Sequence, residues 1–138
     1  MKQLKKLIKE FEGLCLEAYR CPAGVWTIGW GHTLGVTPGR KITVEEAERL
    51  LDEDLKPILA TLPPGLNENQ QAALASLCYN IGTGAFMKST IRRLVCANPE
   101  DPRIPDEFLR WRFAGGRELP GLVRRRKKEA AIYVGAPF

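Results

Sequence analysis

A segment rich in glycine and proline constrains the fold more than any other part of the chain. Its central run at residues 18–39, AYRCPAGVWTIGWGHTLGVTPG, mixes turn-forming residues with Val, Trp, Thr and Ile. Such a mixture is typical of short strands joined by tight turns. The sequence therefore predicts a small β-rich lobe at about residues 13–42, with residues 1–12 and 43–138 left to form a helical lobe.

The flanking segments have the periodicity of amphipathic helices. In the first of them, apolar residues recur at helical spacing, at Leu4, Leu7, Ile8 and Phe11. We expect this helix to end near Gly13, because glycine commonly terminates helices. Thr43 and Glu46 have the spacing of a capping box and predict the start of a second helix. Asn67, followed three residues later by Gln70, predicts the start of a third.

The third helix has a continuous apolar stripe and is expected to lie at the centre of the core. After the second helix has begun, helical structure is expected to be interrupted at Pro57, Pro63 and Pro64. The later elements predicted are a short helix at about 84–95, a proline-rich loop at 97–105, a helix at 107–113 and a last helix after Pro120.

One helix, one small sheet and then several helices make a segregated α+β arrangement. A chain of 138 residues with 44% apolar composition can bury one core. We therefore expect a single domain over residues 1–138, with an active cleft between its two lobes.

Composition limits the possible sites and partners. The net charge of +5 favours polyanions without choosing among nucleic acid, membrane surfaces and anionic cell walls. No apolar run approaches the roughly 20 residues of a spanning helix, so we expect neither a signal peptide nor a membrane anchor. One histidine and four cysteines without C-x-x-C spacing do not favour a zinc site. The cysteines are expected to be mostly reduced thiols.

Glu12 is the best candidate for a catalytic acid. Hydrolysis of a glycosidic bond requires a carboxylic acid that protonates the leaving oxygen and a second group that manages the water or the developing cation. Glu12 stands where the first helix meets the glycine-rich segment, so its carboxyl is expected to be partly withdrawn from water. The alternative is an ordinary solvated glutamate at a helix end.

Three motifs in order resemble the phage-type lysozymes, glycoside hydrolase family 24. They are FEGLCLEAYRCPAGVWTIGWGHT, QQAALASLCYNIGTGAFMKST and RWRFAGGRELPGLVRRRKKE. The resemblance implies a lysozyme-like fold and puts Glu12, Cys21 and Thr27 on the family's catalytic positions. In that reading Glu12 is the general acid and the Thr27 hydroxyl holds the water.

Cys21 departs from the family, which usually has aspartate there. An unperturbed cysteine, with a pKa of about 8.5, is only slightly ionised at neutral pH. Positive charge from Arg20, or from the run at 124–126, is expected to favour the thiolate. Cys21 is therefore predicted to orient or activate a water or to capture the sugar carbon, and an inert small residue is the alternative.

Five further residues are predicted to bind substrate: Trp30, Asn80, Gly82, Phe86 and Arg125. The resemblance also implies that a C-terminal arginine meets Glu12, without saying which one of 124–126. Trp26 and Trp30 have the alternation of a small sheet, so at least one is expected in the core. His32 is expected to pin the sheet through a ring hydrogen bond, with catalysis as its alternative.

The resemblance implies hydrolysis of the β-1,4 bond between N-acetylmuramic acid and N-acetylglucosamine in peptidoglycan, with no cofactor or metal. It also implies a monomer that collects in the host cytoplasm until another factor opens the membrane. Two alternatives remain open: a catalytically inactive wall-binding module, and a nucleic-acid-binding domain that uses the RRRKK tract at 124–128. The nucleic-acid-binding alternative is less favoured because acidic residues spread over the chain offset the positive charge of that tract.

Overall fold

A computed structural model describes the whole chain, Met1–Phe138. The elements are α1 (Lys2–Glu12), β1 (Cys15–Arg20), β2 (Trp26–Gly29), α2 (Val44–Ala60), α3 (Glu68–Ile81), α4 (Thr83–Met87), α5 (Thr90–Ala97), α6 (Ile104–Phe108), a 3-10 turn (Leu109–Trp111), β3 (Phe113–Ala114), β4 (Arg117–Glu118) and α7 (Pro120–Tyr133). The predicted α+β class and the order of the first four elements are confirmed. No helix is both long enough and apolar enough to cross a bilayer.

The predicted sheet is a two-stranded antiparallel ribbon. β1 pairs with β2 in a register that sets Tyr19 opposite Thr27 and Arg20 opposite Trp26. The pairing is irregular between Cys15 and Tyr19. Its tight turn, residues 21–25, carries Cys21 to the end of the ribbon.

The predicted helix starts are confirmed. Thr43 Oγ1 accepts a hydrogen bond from the Glu46 N–H at 3.2 Å at the start of α2. The Asn67 side chain accepts from the Gln70 N–H at 2.8 Å, and the Gln70 side chain accepts in return from the Asn67 N–H at 3.0 Å. Both starts satisfy backbone donors that a helix leaves unpaired.

Pro57 does not end α2, contrary to the sequence-based expectation. The helix continues through it to Ala60. Proline removes one backbone donor, which leaves the carbonyl of Glu53 without its helical partner. Both Pro57 and Glu53 are exposed, so water reaches that carbonyl and the helix continues.

Two later predictions were wrong in detail. The helix expected at 84–95 is divided into α4 and α5 by Ser89, whose hydroxyl donates to the Phe86 carbonyl at 2.6 Å and accepts from the Arg92 N–H at 3.2 Å. The helix expected at 107–113 begins at Ile104, because Pro105 is well suited to a first turn. It ends early, since Gly115 and Gly116, with φ of 58° and 78°, turn the chain into the β3–β4 hairpin.

The core surrounds α3, as predicted. Eight of its residues are buried, from Gln70 to Cys78. Its neighbours contribute the fully buried side chains Leu7, Ile8, Leu55, Phe86, Ile104 and Phe108. Since α1, α2 and α7 all pack against α3, side chains from the two ends of the chain meet beside it.

Candidate active site

Glu12 is the last residue of α1, and Gly13 ends the helix with φ of 70°. This places the carboxyl at the junction of the helical part with the β-ribbon. Its side chain is 20% exposed, so it is largely withdrawn from water but still open to the cleft. The alternative of a freely solvated helix-end glutamate is not what the structure has.

Arg125 on α7 holds this carboxyl. Its Nη1 donates to Glu12 Oε2 at 2.6 Å, and its Nη2 donates to the Ser76 carbonyl at 3.1 Å. The guanidinium carbon also lies 4.8 Å from the ring centre of Phe11. Arg125 is therefore the arginine that meets the glutamate. Its side chain is only 5% exposed, so the prediction that it binds substrate directly was wrong.

Gly31 lets the chain pass close to the carboxyl. Its φ of +93° is in the left-handed region, and a Cβ there would lie 3.0 Å from Glu12 Oε1 and 3.2 Å from Tyr79 Cε1. Tyr79 donates its hydroxyl to the carbonyl of Trp30. This bond ties α3 to the end of the ribbon, so the two walls of the cleft are joined next to Glu12.

Cys21 lies in the ribbon turn, where its N–H donates to the Val25 carbonyl at 2.9 Å. Burial raises the pKa of the Cys21 thiol, but hydrogen bonds from the backbone of Val25 and Ala23 and from the Thr27 hydroxyl outweigh burial. The pKa of Cys21 is therefore below its ordinary value. The arginines expected to cause this are not among its causes, so that part of the prediction was wrong.

Thr27 stands on β2 and is almost fully buried, with 4% exposure. Its hydroxyl donates to the Val25 carbonyl at 3.0 Å. This hydroxyl is also one of the groups that lower the pKa of the Cys21 thiol, and both residues line the cleft.

One cleft of about 330 Å³ collects the three predicted catalytic residues. Its walls are Glu12, Tyr19, Cys21, Thr27, Gly31, Thr33, Tyr79, Asn80, Ile81 and Gly82. A neighbouring hollow of about 220 Å³ shares Gly31, Thr33, Tyr79 and Gly82 and extends the cleft toward α2. The sequence reasoning missed Tyr19, Tyr79 and Gly31, although the glycine-rich run around the last of these was a signal.

Of the five residues predicted to bind substrate, Asn80 and Gly82 line the cleft. Phe86 has no exposed surface, because α4 turns it into the core, so its predicted contact with substrate was wrong. Trp30 is only 9% exposed and is part of the buried apolar cluster, so it too belongs to the core.

His32 has the structural role that the sequence favoured. Its Nδ1 lies 2.8 Å from Asp54 Oδ2 and its Nε2 lies 2.8 Å from the Leu34 carbonyl. The ring therefore pins the end of the ribbon to α2.

All four cysteines are free thiols, and burial raises the pKa of Cys78 to about 11. No group of three His, Cys, Asp or Glu side chains is arranged to hold a metal ion.

Comparison with known proteins gives the same residues a context. Residues 9–129 match the family model described as phage lysozyme. The endolysin of Acyrthosiphon pisum secondary endosymbiont phage 1 is 41% identical over 138 residues, covering 94% of each chain. The endolysin of Bacillus phage B103 is 36% identical over 93% of this chain, which spans only 51% of that relative.

A solved structure is similar over nearly its full length. The muramidase domain of SpmX from Asticaccaulis excentricus superposes with a TM-score of 0.85 at 34% identity. The match covers 99% of this chain and 97% of that one.

Proposed function

The chain belongs to the phage lysozyme family, and we propose that it hydrolyses the β-1,4 bond between N-acetylmuramic acid and N-acetylglucosamine in bacterial peptidoglycan, lysing the host cell. The observation that carries the proposal is the cleft itself. Glu12, Cys21 and Thr27 come from three different elements, yet they line one groove, with the glutamate held by Arg125.

Glu12 is proposed to protonate the leaving sugar oxygen. A general acid must carry its proton at the working pH and regain it after each turnover. Arg125 fixes the position of the carboxyl, and the 20% exposure of the Glu12 side chain leaves it accessible from the cleft.

Cys21 is proposed to act from the ribbon side as a thiolate. It accepts a proton from the attacking water as the water oxygen bonds to the anomeric carbon, while Glu12 gives its proton to the departing oxygen. Thr27 orients that water. Direct attack of the sulfur on the anomeric carbon, forming a thioglycoside that water later cleaves, is the alternative route. The configuration of the released sugar distinguishes the two routes, because one displacement inverts and two retain.

Glu12→Gln tests the assignment with the least change in shape. We expect loss of general-acid catalysis to lower the rate of wall lysis by roughly 10²- to 10⁴-fold. Glu10→Gln is the matched control, since Glu10 is an exposed α1 glutamate whose partner is Lys128, outside the cleft. Retention of lysis by Glu12→Gln would reject the mechanism. If the unaltered protein binds walls without lysing them, it is instead a binding module.

We further propose that residues 1–138 act as one catalytic domain and as a monomer. A continuous cluster of 26 buried residues, which includes side chains from α1, β2 and α7, supports the single domain. The protein is proposed to reach the wall from the host cytoplasm once the membrane has been opened, without a stable membrane anchor, nucleic-acid partner or cofactor. A sedimentation measurement that gives a dimer mass would reject the monomer.

A further inference from the structure

Glu129 is a fully buried carboxylate that the mechanism above does not use. It lies on α7, one turn after Arg125. Its oxygens accept hydrogen bonds from Ser76 Oγ at 2.5 Å, from Arg125 Nε at 3.2 Å and from Arg126 Nη1. A buried carboxylate is costly unless its partners compensate its lost hydration. Here three hydrogen-bond donors, two of them charged, provide that compensation.

The two arginines link Glu129 to two residues that line the cleft. Arg125 continues to Glu12 at the end of α1. Arg126, which is also fully buried, donates from Nε to the Trp111 carbonyl at 2.9 Å and from Nη2 to Asn80 Oδ1. Asn80 lines the cleft near the end of α3. One carboxylate therefore fixes the guanidinium groups that reach both Glu12 and Asn80.

We propose that Glu129 is a positioning residue for the glycosidase reaction: it orients Arg125 and Arg126 and offsets their positive charge, so that the two guanidinium groups hold Glu12 and Asn80 in place. The inference rests on the proposed function, because it assigns a role within that reaction. Glu129 itself touches no cleft surface and is not proposed to contact substrate.

The charges around Glu12 explain why such an offset is needed. With Glu12 ionised, two carboxylates face two guanidinium groups, and the cluster is neutral. Without the Glu129 charge the cluster would have an excess positive charge, and two buried guanidinium groups would compete for one carboxylate. The other titratable groups facing Glu12 are Tyr79 from α3 and Tyr19 and Cys21 from the ribbon. None of these is a cation, so the arginines dominate the local positive charge.

The test is the steady-state kinetics of wall hydrolysis. Glu129→Gln removes the charge and keeps the shape, and we expect kcat to fall about tenfold with little change in KM, because the arginines no longer hold Glu12 in its orientation. Glu129→Asp, which keeps the charge on a shorter side chain, should restore part of kcat. Ile132→Ala, a fully buried α7 position without charge, should lower stability and leave kcat unchanged.

An unchanged kcat in a folded Glu129→Gln protein, whose parent lyses walls, would overturn the positioning role alone. Absence of lysis by the parent would instead reject the proposed function. If Glu129→Gln does not fold, Glu129→Asp is compared with Ile132→Ala by the same kinetics at a temperature where both are folded. We then expect Glu129→Asp, whose shorter side chain reaches the arginines less well, to lower kcat severalfold with little change in KM. An effect on kcat no larger than that of Ile132→Ala would overturn the inference.

Discussion

Glu12 and Cys21 line the same cleft, but the protein holds them by different means. Glu12 is fixed by a charged partner from α7, 113 residues further along the chain. Cys21 is held within a five-residue turn by its backbone hydrogen bond to Val25, and its pKa is lowered by groups in that turn and by Thr27 on the adjoining strand. The acid therefore depends on tertiary packing, whereas the state of the thiol is set locally. Changes on the helical side should consequently be more damaging than changes on the ribbon side.

The strongest test of this difference is Arg125→Gln. It leaves Glu12 and Glu129 with less compensating charge in a buried setting, so we expect a loss of about 3 kcal/mol in the free energy of unfolding. We also expect lysis to slow on the order of 100-fold, because Glu12 loses its orientation. Denaturant unfolding and turbidity measurements check both effects. Arg124→Gln, an exposed neighbour on the same helix, is the control. Equal behaviour of the two variants would mean that packing alone positions Glu12.

Gly31→Ala tests the position where the chain following the β-ribbon lies close to Glu12 on the helical side of the cleft. The added Cβ would be 3.0 Å from the Glu12 carboxylate oxygen and would have to adopt a left-handed φ of +93°. We expect about a tenfold loss of turnover, measured as the initial rate of wall lysis.

Gly35→Ala is the control that separates backbone strain at a left-handed glycine from displacement of the Glu12 carboxyl. Gly35 also has a left-handed φ of +70°, but a Cβ there would have no neighbour within 4 Å. Both variants should lose roughly 1–2 kcal/mol of stability from backbone strain. Only Gly31→Ala should slow lysis, and a similar slowing in both would contradict the close-approach argument.

The smallest expected effect lies on the ribbon side and is tested by alkylation of the Cys21 thiol. In a Cys15→Ser, Cys96→Ser background, only Cys21 and the buried Cys78 remain. Because the pKa of Cys21 is below its ordinary value, more thiolate is present at neutral pH, and its alkylation rate should reach half-maximum at a lower pH than that of a free cysteine.

Cys78 should stay unmodified over the same range, since burial raises its pKa to about 11. Mass spectrometry follows the label at each pH, and lysis is assayed in parallel. If the fully labelled protein turned over as fast as before, Cys21 would have no catalytic role.

The same division, between features set by neighbours in the sequence and features set by tertiary packing, explains what could be predicted from the sequence. The end of α1 at Gly13 and the caps at Thr43 and Asn67 depend on neighbours within a few positions, and they were predicted correctly. The choice of arginine was not predictable, because it depends on how α7 rotates against α3. Phe86 was misassigned for a related reason: a five-residue helix has too short a pattern to reveal which face it buries.

Tyr79 and Glu129 were missed on similar grounds. In the sequence Tyr79 is one more side chain on a helix that is buried almost all round. Glu129 follows a basic run and resembles a residue on a solvated helix face. Only the folded structure shows that one joins the cleft walls and the other lies between two buried arginines.

The span between Glu12 and Arg125 also has a consequence for the growing chain. Translation produces α1 first and α7 last, and chains fold as they emerge from the N-terminus. A nascent or C-terminally truncated polypeptide therefore carries the glutamate without its guanidinium partner. Competence for lysis is reached only when the final helix docks, so an incomplete translation product should be inert toward the wall.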